Sequence, residues 1–379
     1  MKTLCFLALL LCACSTPYRP PQLDAGTAYS GLIDLAAQAG TADVLLVHGI
    51  CTHDAAWAAL VVSQLMRSLD AAASTAPPDP PDPPAPAAPA AAASAAGDRA
   101  DGGPQVQVVP ATVETPAGRL RFNALIWSPL TADLKRQLCY DQSDKSDQCA
   151  GAPPYAHTRA RWNARFKDGL IDDCLPDSLI YQGVARDQIQ RRMRDAILQV
   201  LDAGDGDTSP LVVIAHSMGS KILFDTLLRM SEEVPGSRAA LLAMRAVDRM
   251  RFLVMAANQI PLLSLADQPI AAAAELAPSV PDSLQLLLQK RLAAKGRTAG
   301  RHLTLVAFTD PNDLLSYTLP PEKYARDGIT VYNILVSNAP TYLGLLERPD
   351  RAHLDYLTNP DVGRLIACGQ PKSSLCKRE

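Results

Sequence analysis

Six short stretches rich in branched and apolar residues recur along the chain: Val44–Val47, Leu120–Trp127, Leu211–Ala215, Arg251–Ala256, Leu303–Phe308 and Ile329–Val336. Runs of this length with little polar alternation suit strands covered on both faces, as in a parallel sheet between helical layers. Between the second and third runs, Ile189, Met193, Ile197, Val200 and Leu201 line one helical stripe, and Gly204 stands where such a helix would stop. Strand, helix, strand in repeated order predicts an α/β fold with a mostly parallel sheet flanked by helices. Two intervals, Pro129–Gly183 and Ala271–Gly300, exceed a normal connection and are expected to leave the sheet; long excursions often form caps over a site.

One stretch lacks the means to fold. From Asp70 to Pro104 the composition falls to Ala, Pro, Asp and Gly, with eight prolines between Pro77 and Pro89. So little branched apolar surface cannot offset the entropy of ordering, and a disordered surface loop (70–104) inside the domain is expected. A docking ligand for a Pro-binding partner is the alternative. Charge excludes another class of partner. Lys and Arg number 36 against 39 Asp and Glu, and no basic run of five or more occurs, so nothing favours nucleic acid.

The start of the chain reads as an address. A single Lys precedes an unbroken apolar run, Leu4–Ala13, which is too short to cross a hydrocarbon core of roughly 30 Å. That is the pattern of an export signal. Leu11-Cys12-Ala13-Cys14 resembles the lipobox of bacterial lipoproteins. The resemblance implies a signal peptide over 1–13, acylation of Cys14, a short polar tether over 14–24, and a lipid anchor in the bacterial cell envelope. Ser15 in place of Asp implies the outer membrane. A cleaved secretory signal without acylation is the alternative.

Removing the signal leaves Cys51, Cys139, Cys149, Cys174, Cys368 and Cys376 in an oxidising compartment. Cys139 with Cys149 and Cys368 with Cys376 are the expected disulfides, because each pair flanks a polar loop. Free buried thiols compete with that reading.

The most informative run is Leu211-Val212-Val213-Ile214-Ala215-His216-Ser217-Met218-Gly219, a buried strand leading straight into a predicted helix. Such a turn lifts a serine hydroxyl above the sheet only if the residues two before and two after are small, as Ala215 and Gly219 are. Helix capping by Ser217 would explain the serine alone. It would not explain Val44-Leu45-Leu46-Val47-His48-Gly49-Ile50, a second strand ending in a turn. The two motifs together resemble the nucleophile elbow and His-Gly oxyanion loop of α/β-hydrolases. The resemblance implies an α/β-hydrolase fold over 25–368, a cap inserted over 129–183, a C-terminal tail over 369–379, and oxyanion donors at Met218 and Ile50.

A serine hydroxyl needs an imidazole base oriented by a carboxylate. His48 belongs to the oxyanion loop, His53 follows it, His216 sits in the elbow, His157 lies in the cap and His302 precedes a strand. His353 lies beyond the last predicted strand, where the family places its base, ahead of a short closing helix. His48 and His53, five apart, do not form a helical metal-binding pair, and no set of donors completes one.

For the acid, Asp310 and Asp313 compete in Thr309-Asp310-Pro311-Asn312-Asp313. Similarity to the Pro-x-Asp-x-apolar-small-Tyr run of DDHD-type phospholipases selects Asp313 and leaves Asp310 as a turn former. The implied activity is a serine hydrolase cleaving an ester, a lipid or another hydrophobic acyl ester, with no metal or organic cofactor. The same three residues would also serve a thioesterase, peptidase or acyltransferase, and a non-catalytic envelope-binding lipoprotein is the rival of a different class. A basic cluster, Arg159, Arg161, Arg165 and Lys167, is expected to be a solvated helix face or a site for an anionic head group.

Overall fold

The computed structural model describes residues 14–69, 103–142, 159–202, 208–270, 280–293 and 302–377. The expected signal at 1–13, nearly all of the 70–104 loop, Cys149 and His157 lie outside the described residues. Nine strands are described: β1 (Cys14–Ser15), β2 (Thr41–Val47), β3 (Gln107–Thr115), β4 (Gly118–Ile126), β5 (Leu211–His216), β6 (Met250–Ala256), β7 (Leu303–Thr309), β8 (Ile329–Leu335) and β9 (Thr341–Tyr342). Seven form one sheet in the order β3-β4-β2-β5-β6-β7-β8, parallel except for β3, which runs antiparallel to β4.

Alternation along the central strands builds two cores. Val44 and Leu46 of β2, Val212 and Ile214 of β5, and Phe252 and Val254 of β6 point to one face. Leu45, Val47, Val213, Leu253 and Met255 point to the other. The first face is covered by helices α1 (Leu32–Ala39) and α2 (Ala55–Met66), together with the C-terminal helix Pro360–Cys368. Its entry is well capped: the Asp54 side chain accepts from the amides of Ala56 and Trp57 at the start of α2. The second face takes the helices Arg186–Asp202, Met218–Ser231, Arg238–Arg249 and Ser283–Ala293. Cover on both faces explains why β2, β5, β6 and β7 read as apolar runs.

β3 does not read that way. It carries Pro110 and exposes or half-exposes most of its side chains. An edge strand has only one neighbour, so it tolerates the missing amide of a proline and needs no continuous apolar face.

The segment 14–24, expected as a tether, is docked instead. β1 pairs antiparallel with β9, and Gln22 exchanges backbone hydrogen bonds with Leu335, N to O at 2.9 and 3.0 Å. β8 is the other edge of the sheet, and its open backbone groups give the passing chain partners.

Cys368 and Cys376 are joined as expected. Cys51 and Cys174, 123 residues apart, form a bridge the spacing gave no reason to expect. Cys139 is disulfide-bonded too, while its expected partner Cys149 lies outside the described residues. Among the described residues no helix is long and apolar enough to cross a membrane.

Leu305 sits at the centre of β7 with no exposure. Leu305→Ala should lower the unfolding free energy by about 2–5 kcal/mol, because the rigid sheet around it cannot collapse into the void. The denaturant midpoint of the two proteins, measured side by side, checks this.

Candidate active site

The parallel strands all end at one edge of the sheet. There the chain changes its direction of advance: after β2 it moves toward β4, and after β5 toward β6. The crevice between two such strands is where open α/β sheets bind ligands. The turns that meet in it are His48-Gly49-Ile50 after β2 and Ser217-Met218-Gly219 after β5.

Ser217 is the sole residue between β5 and helix α3 (Met218–Ser231), and it has φ 52° and ψ −131°. For a residue with a Cβ that conformation costs about 1–3 kcal/mol. Its surroundings enforce it. The Ser217 amide donates to the Ala256 carbonyl at 2.7 Å, and its own carbonyl accepts from the Ser220 hydroxyl at 2.7 Å. A Cβ on Gly219 would stand 2.2 Å from the His48 carbonyl oxygen, and one on Gly49 would stand 2.6 Å from the Ser217 Cβ. Only glycines at these two positions let the turns touch.

Three of the residues singled out in the sequence meet above this contact. Ser217 Oγ lies 2.9 Å from His353 Nε2, and His353 Nδ1 lies 3.0 Å from each Asp313 carboxylate oxygen. A carboxylate can only accept, so the His353 proton sits on Nδ1 and Nε2 offers its lone pair to the Ser217 hydroxyl. His353 is held from behind by its carbonyl, which accepts from His216 Nε2 at 3.0 Å. Asp313 also accepts from the Tyr356 hydroxyl at 3.0 Å and from the Leu315 amide at 3.0 Å. All three side chains are buried, Ser217 without any exposure.

Asp310 takes a different part. Its carboxylate accepts from the amides of Asn312 at 2.9 Å and Asn338 at 2.7 Å, tying the turn after β7 to the one after β8. Glu347 stands beside it, and Asn312 Nδ2 bridges the two carboxyls. Burial first, then the facing Asp310, push the Glu347 carboxyl up to about 7; burial likewise raises that of Asp310.

The remaining described histidines of the crevice are structural. The His48 ring stacks on Trp127, accepts from the Trp127 amide at Nε2 (2.9 Å), and donates from Nδ1 to the Gly49 carbonyl (2.8 Å). Burial holds it well below the usual imidazole range. Burial lowers His53 to about 4, and burial followed by the neighbouring His353 lowers His216 to about 3. Neither His48 nor His53 has a carboxylate partner, and neither reaches Ser217 among the described contacts. His302 lies away from the crevice, at Thr330.

The backbone amides of Ile50 and Met218 belong to the two turns that meet at this contact. Ile50 follows Gly49 and Met218 follows Ser217, the two residues that touch across the contact.

Sequence reasoning missed what fastens the turn after β2. Cys51 is bridged to Cys174, its amide donates to Asp177 at 2.9 Å, and the Thr52 amide and hydroxyl donate to Asp173. Buried Lys135 joins both acids, reaching Asp173 at 2.9 Å and Asp177 at 3.4 Å. Nothing local marks these residues, since they come together from segments about 40 to 120 positions apart. Gln259 was missed as well. Its Nε2 lies 3.4 Å from His353 Nε2, and its Oε1 is buried without a partner among the described residues. Its place just beyond the carboxyl end of β6 was the available signal.

Of the basic cluster, Arg159 and Lys167 pair with Asp141, while Arg161 and Arg165 are exposed. The donors close enough together to share a metal, among the described residues, are Cys51, Asp173 and Cys174, and their two sulfurs are already joined to each other. A cavity of about 200 Å³ lined by Asp43, Arg121 and Arg249 lies at the opposite, amino-terminal ends of the strands and touches none of Ser217, Asp313 and His353. Comparison with protein-family models, with curated proteins and with solved structures yields no match to this chain.

Glu347 gives the site a stability signature. Its folded-state carboxyl holds a proton up to about 7 against an ordinary value of 4.5. The support it lends the fold is therefore complete below about pH 4.5 and lost as pH rises through about 7. Urea midpoints at about pH 5 and about pH 8 should fall further apart in the wild type than in Glu347→Gln, which keeps the shape and cannot ionise. Equal differences would remove the carboxyl pair from the account.

Proposed function

We propose that the chain is a serine hydrolase of the α/β-hydrolase plan, cleaving a carboxylic ester of a lipid or another hydrophobic acyl compound. The observation that carries the reading is the unbroken relay from Ser217 through His353 to Asp313, assembled from the turns after β5 and β7 and the short helix Pro349–Leu354. No requirement of packing explains a strained serine, an imidazole with its lone pair aimed at that serine, and a carboxylate on the far nitrogen.

In this reading His353 Nε2 takes the hydroxyl proton as Ser217 Oγ attacks the ester carbonyl. Asp313 keeps the imidazole in the required tautomer and steadies the imidazolium that forms. The carbonyl oxygen, now negative, is held by the amides of Met218 and Ile50; losing one such donor costs about 2.7–4 kcal/mol in comparable sites. His353 then returns the proton to the leaving alcohol, and water enters by the same route to release the acid. The described part of the 129–183 interval serves as a cap: Ser178 from it donates to the Met218 sulfur at 3.4 Å, beside the nucleophile. Since Ser217 is fully covered, entry of substrate requires this cover to move.

The apolar run before Cys14 supports export and acylation, placing the enzyme on the bacterial outer membrane as a lipoprotein. A lipid ester is the substrate such a location would present. The activity also belongs in this reading to the folded body alone, with no metal or organic cofactor in any step.

Treatment with a fluorophosphonate should label the wild type and leave Ser217→Ala unlabelled. Esterase turnover on p-nitrophenyl acyl esters should fall by roughly 10⁴ to 10⁶ in Ser217→Ala and by about 10⁴ in Asp313→Asn. A folded wild type that takes no label would sink the proposal and favour a binding lipoprotein.

A further inference from the structure

The first described residues are pinned to the reactive end of the molecule. Cys14 and Ser15 pair with Tyr342 and Thr341, and the Thr341 hydroxyl donates to the Ser15 carbonyl at 3.0 Å. β9 belongs to the segment that leaves the carboxyl end of β8, the same end at which Ser217 leaves β5. Just past β9 the chain turns tightly through Leu343-Gly344-Leu345-Leu346, both Leu343 and Gly344 at positive φ, and closes on itself where the Tyr342 amide donates to the Leu346 carbonyl at 2.7 Å.

That turn buries nothing. Tyr342, Leu343, Leu345 and Leu346 are 48, 65, 84 and 61 % exposed. Four large apolar side chains on one short turn form a contiguous patch of the kind soluble surfaces avoid. The turn is also firmly seated. Glu347, the next residue, accepts from the Ala339 amide and from Asn312, one residue before Asp313.

A second apolar feature belongs to the same end. The short helix α4 of the cap interval (Arg161–Phe166) exposes Trp162 (70 %) and Phe166 (43 %) together with Arg161 and Arg165. Aromatic rings with arginines beside them suit the boundary between acyl chains and anionic head groups. Eight residues later the chain reaches Cys174, bridged to the turn after β2.

From these placements we propose that the end of the molecule carrying Ser217 docks face-down on a lipid bilayer, with the 342–346 turn inserted and α4 at the head-group level. The inference rests on the export-and-anchor reading above and adds an orientation to it. The decisive point is the lack of slack. A flexible tether of ten residues would let the body wander by about 17 Å, but here no residue separates the apolar run, or an acyl group on Cys14, from a strand paired with β9. Anything lipid-soluble at Cys14 therefore brings the leucine turn to the membrane. A second copy of the chain or a protein partner would need no such coincidence of anchor and patch.

The test uses the full chain reconstituted into vesicles of phosphatidylcholine and phosphatidylglycerol with brominated acyl chains, which quench a tryptophan only at acyl depth. Leu345→Trp should lose roughly half or more of its added emission. Val234→Trp, exposed at the opposite end after α3, should lose none. Replacing Leu343 and Leu345 by Asp should abolish quenching of Trp162 while flotation with the vesicles persists. A chain that floats but shows no more quenching at 345 than at 234 overturns the docking and leaves the anchor intact. A chain that does not float overturns both. Concentration-dependent shielding of a tryptophan at 345 in lipid-free solution, without quenching in vesicles, assigns the patch to a second copy and overturns the proposal.

Discussion

The contact of Gly219 with the His48 carbonyl sets the spacing of the two turns that meet at the carboxyl ends of the central strands. Two turns leaving neighbouring parallel strands can approach this closely only where neither carries a Cβ at the crossing point. Their approach brings the backbone of Ile50 and Met218 close to Ser217. It also forces Ser217 into its positive-φ conformation, an energetic cost that the surrounding sheet absorbs through the bond to Ala256 and the two buried cores. The strain is local, and the support for it is global.

Around that contact the polar groups divide labour by surroundings rather than by residue type. Four histidines crowd the carboxyl end of the sheet, and the two with the clearest structural bonds are held neutral by burial. His353 alone combines a carboxylate on one nitrogen with a hydroxyl on the other. The two aspartates three residues apart divide in the same way: Asp310 spends its oxygens on backbone amides, while Asp313 spends its own on an imidazole and a phenol. Tyr356 links the pair, accepting from the Asp310 amide and donating to Asp313.

Much of this was legible in the sequence wherever a local rule dictates the residue. Strands covered on both faces are largely apolar, so the five inner strands announced themselves, and the edge strand β8 was apolar enough to join them. A strand that runs into a helix through a serine between small residues left its mark at 215–219, whereas Asp313 and His353 were placed by resemblance to a family pattern. What stayed hidden obeys no local rule. β3 is an edge strand with polar alternation and a proline. Residues 14–24 found an edge to pair with that only the assembled sheet possesses. Lys135, Asp173, Asp177 and the bridge between Cys51 and Cys174 depend on two remote segments meeting, and Gln259 carries no distinguishing neighbour in the chain.

The bridge between Cys51 and Cys174 makes the turn carrying Ile50 sensitive to its redox surroundings. It joins that turn to a segment 123 positions away, and such a bond persists only where thiols are not kept reduced. Under reducing conditions the two segments would be held together by Lys135, Asp173 and Asp177 without the covalent tie.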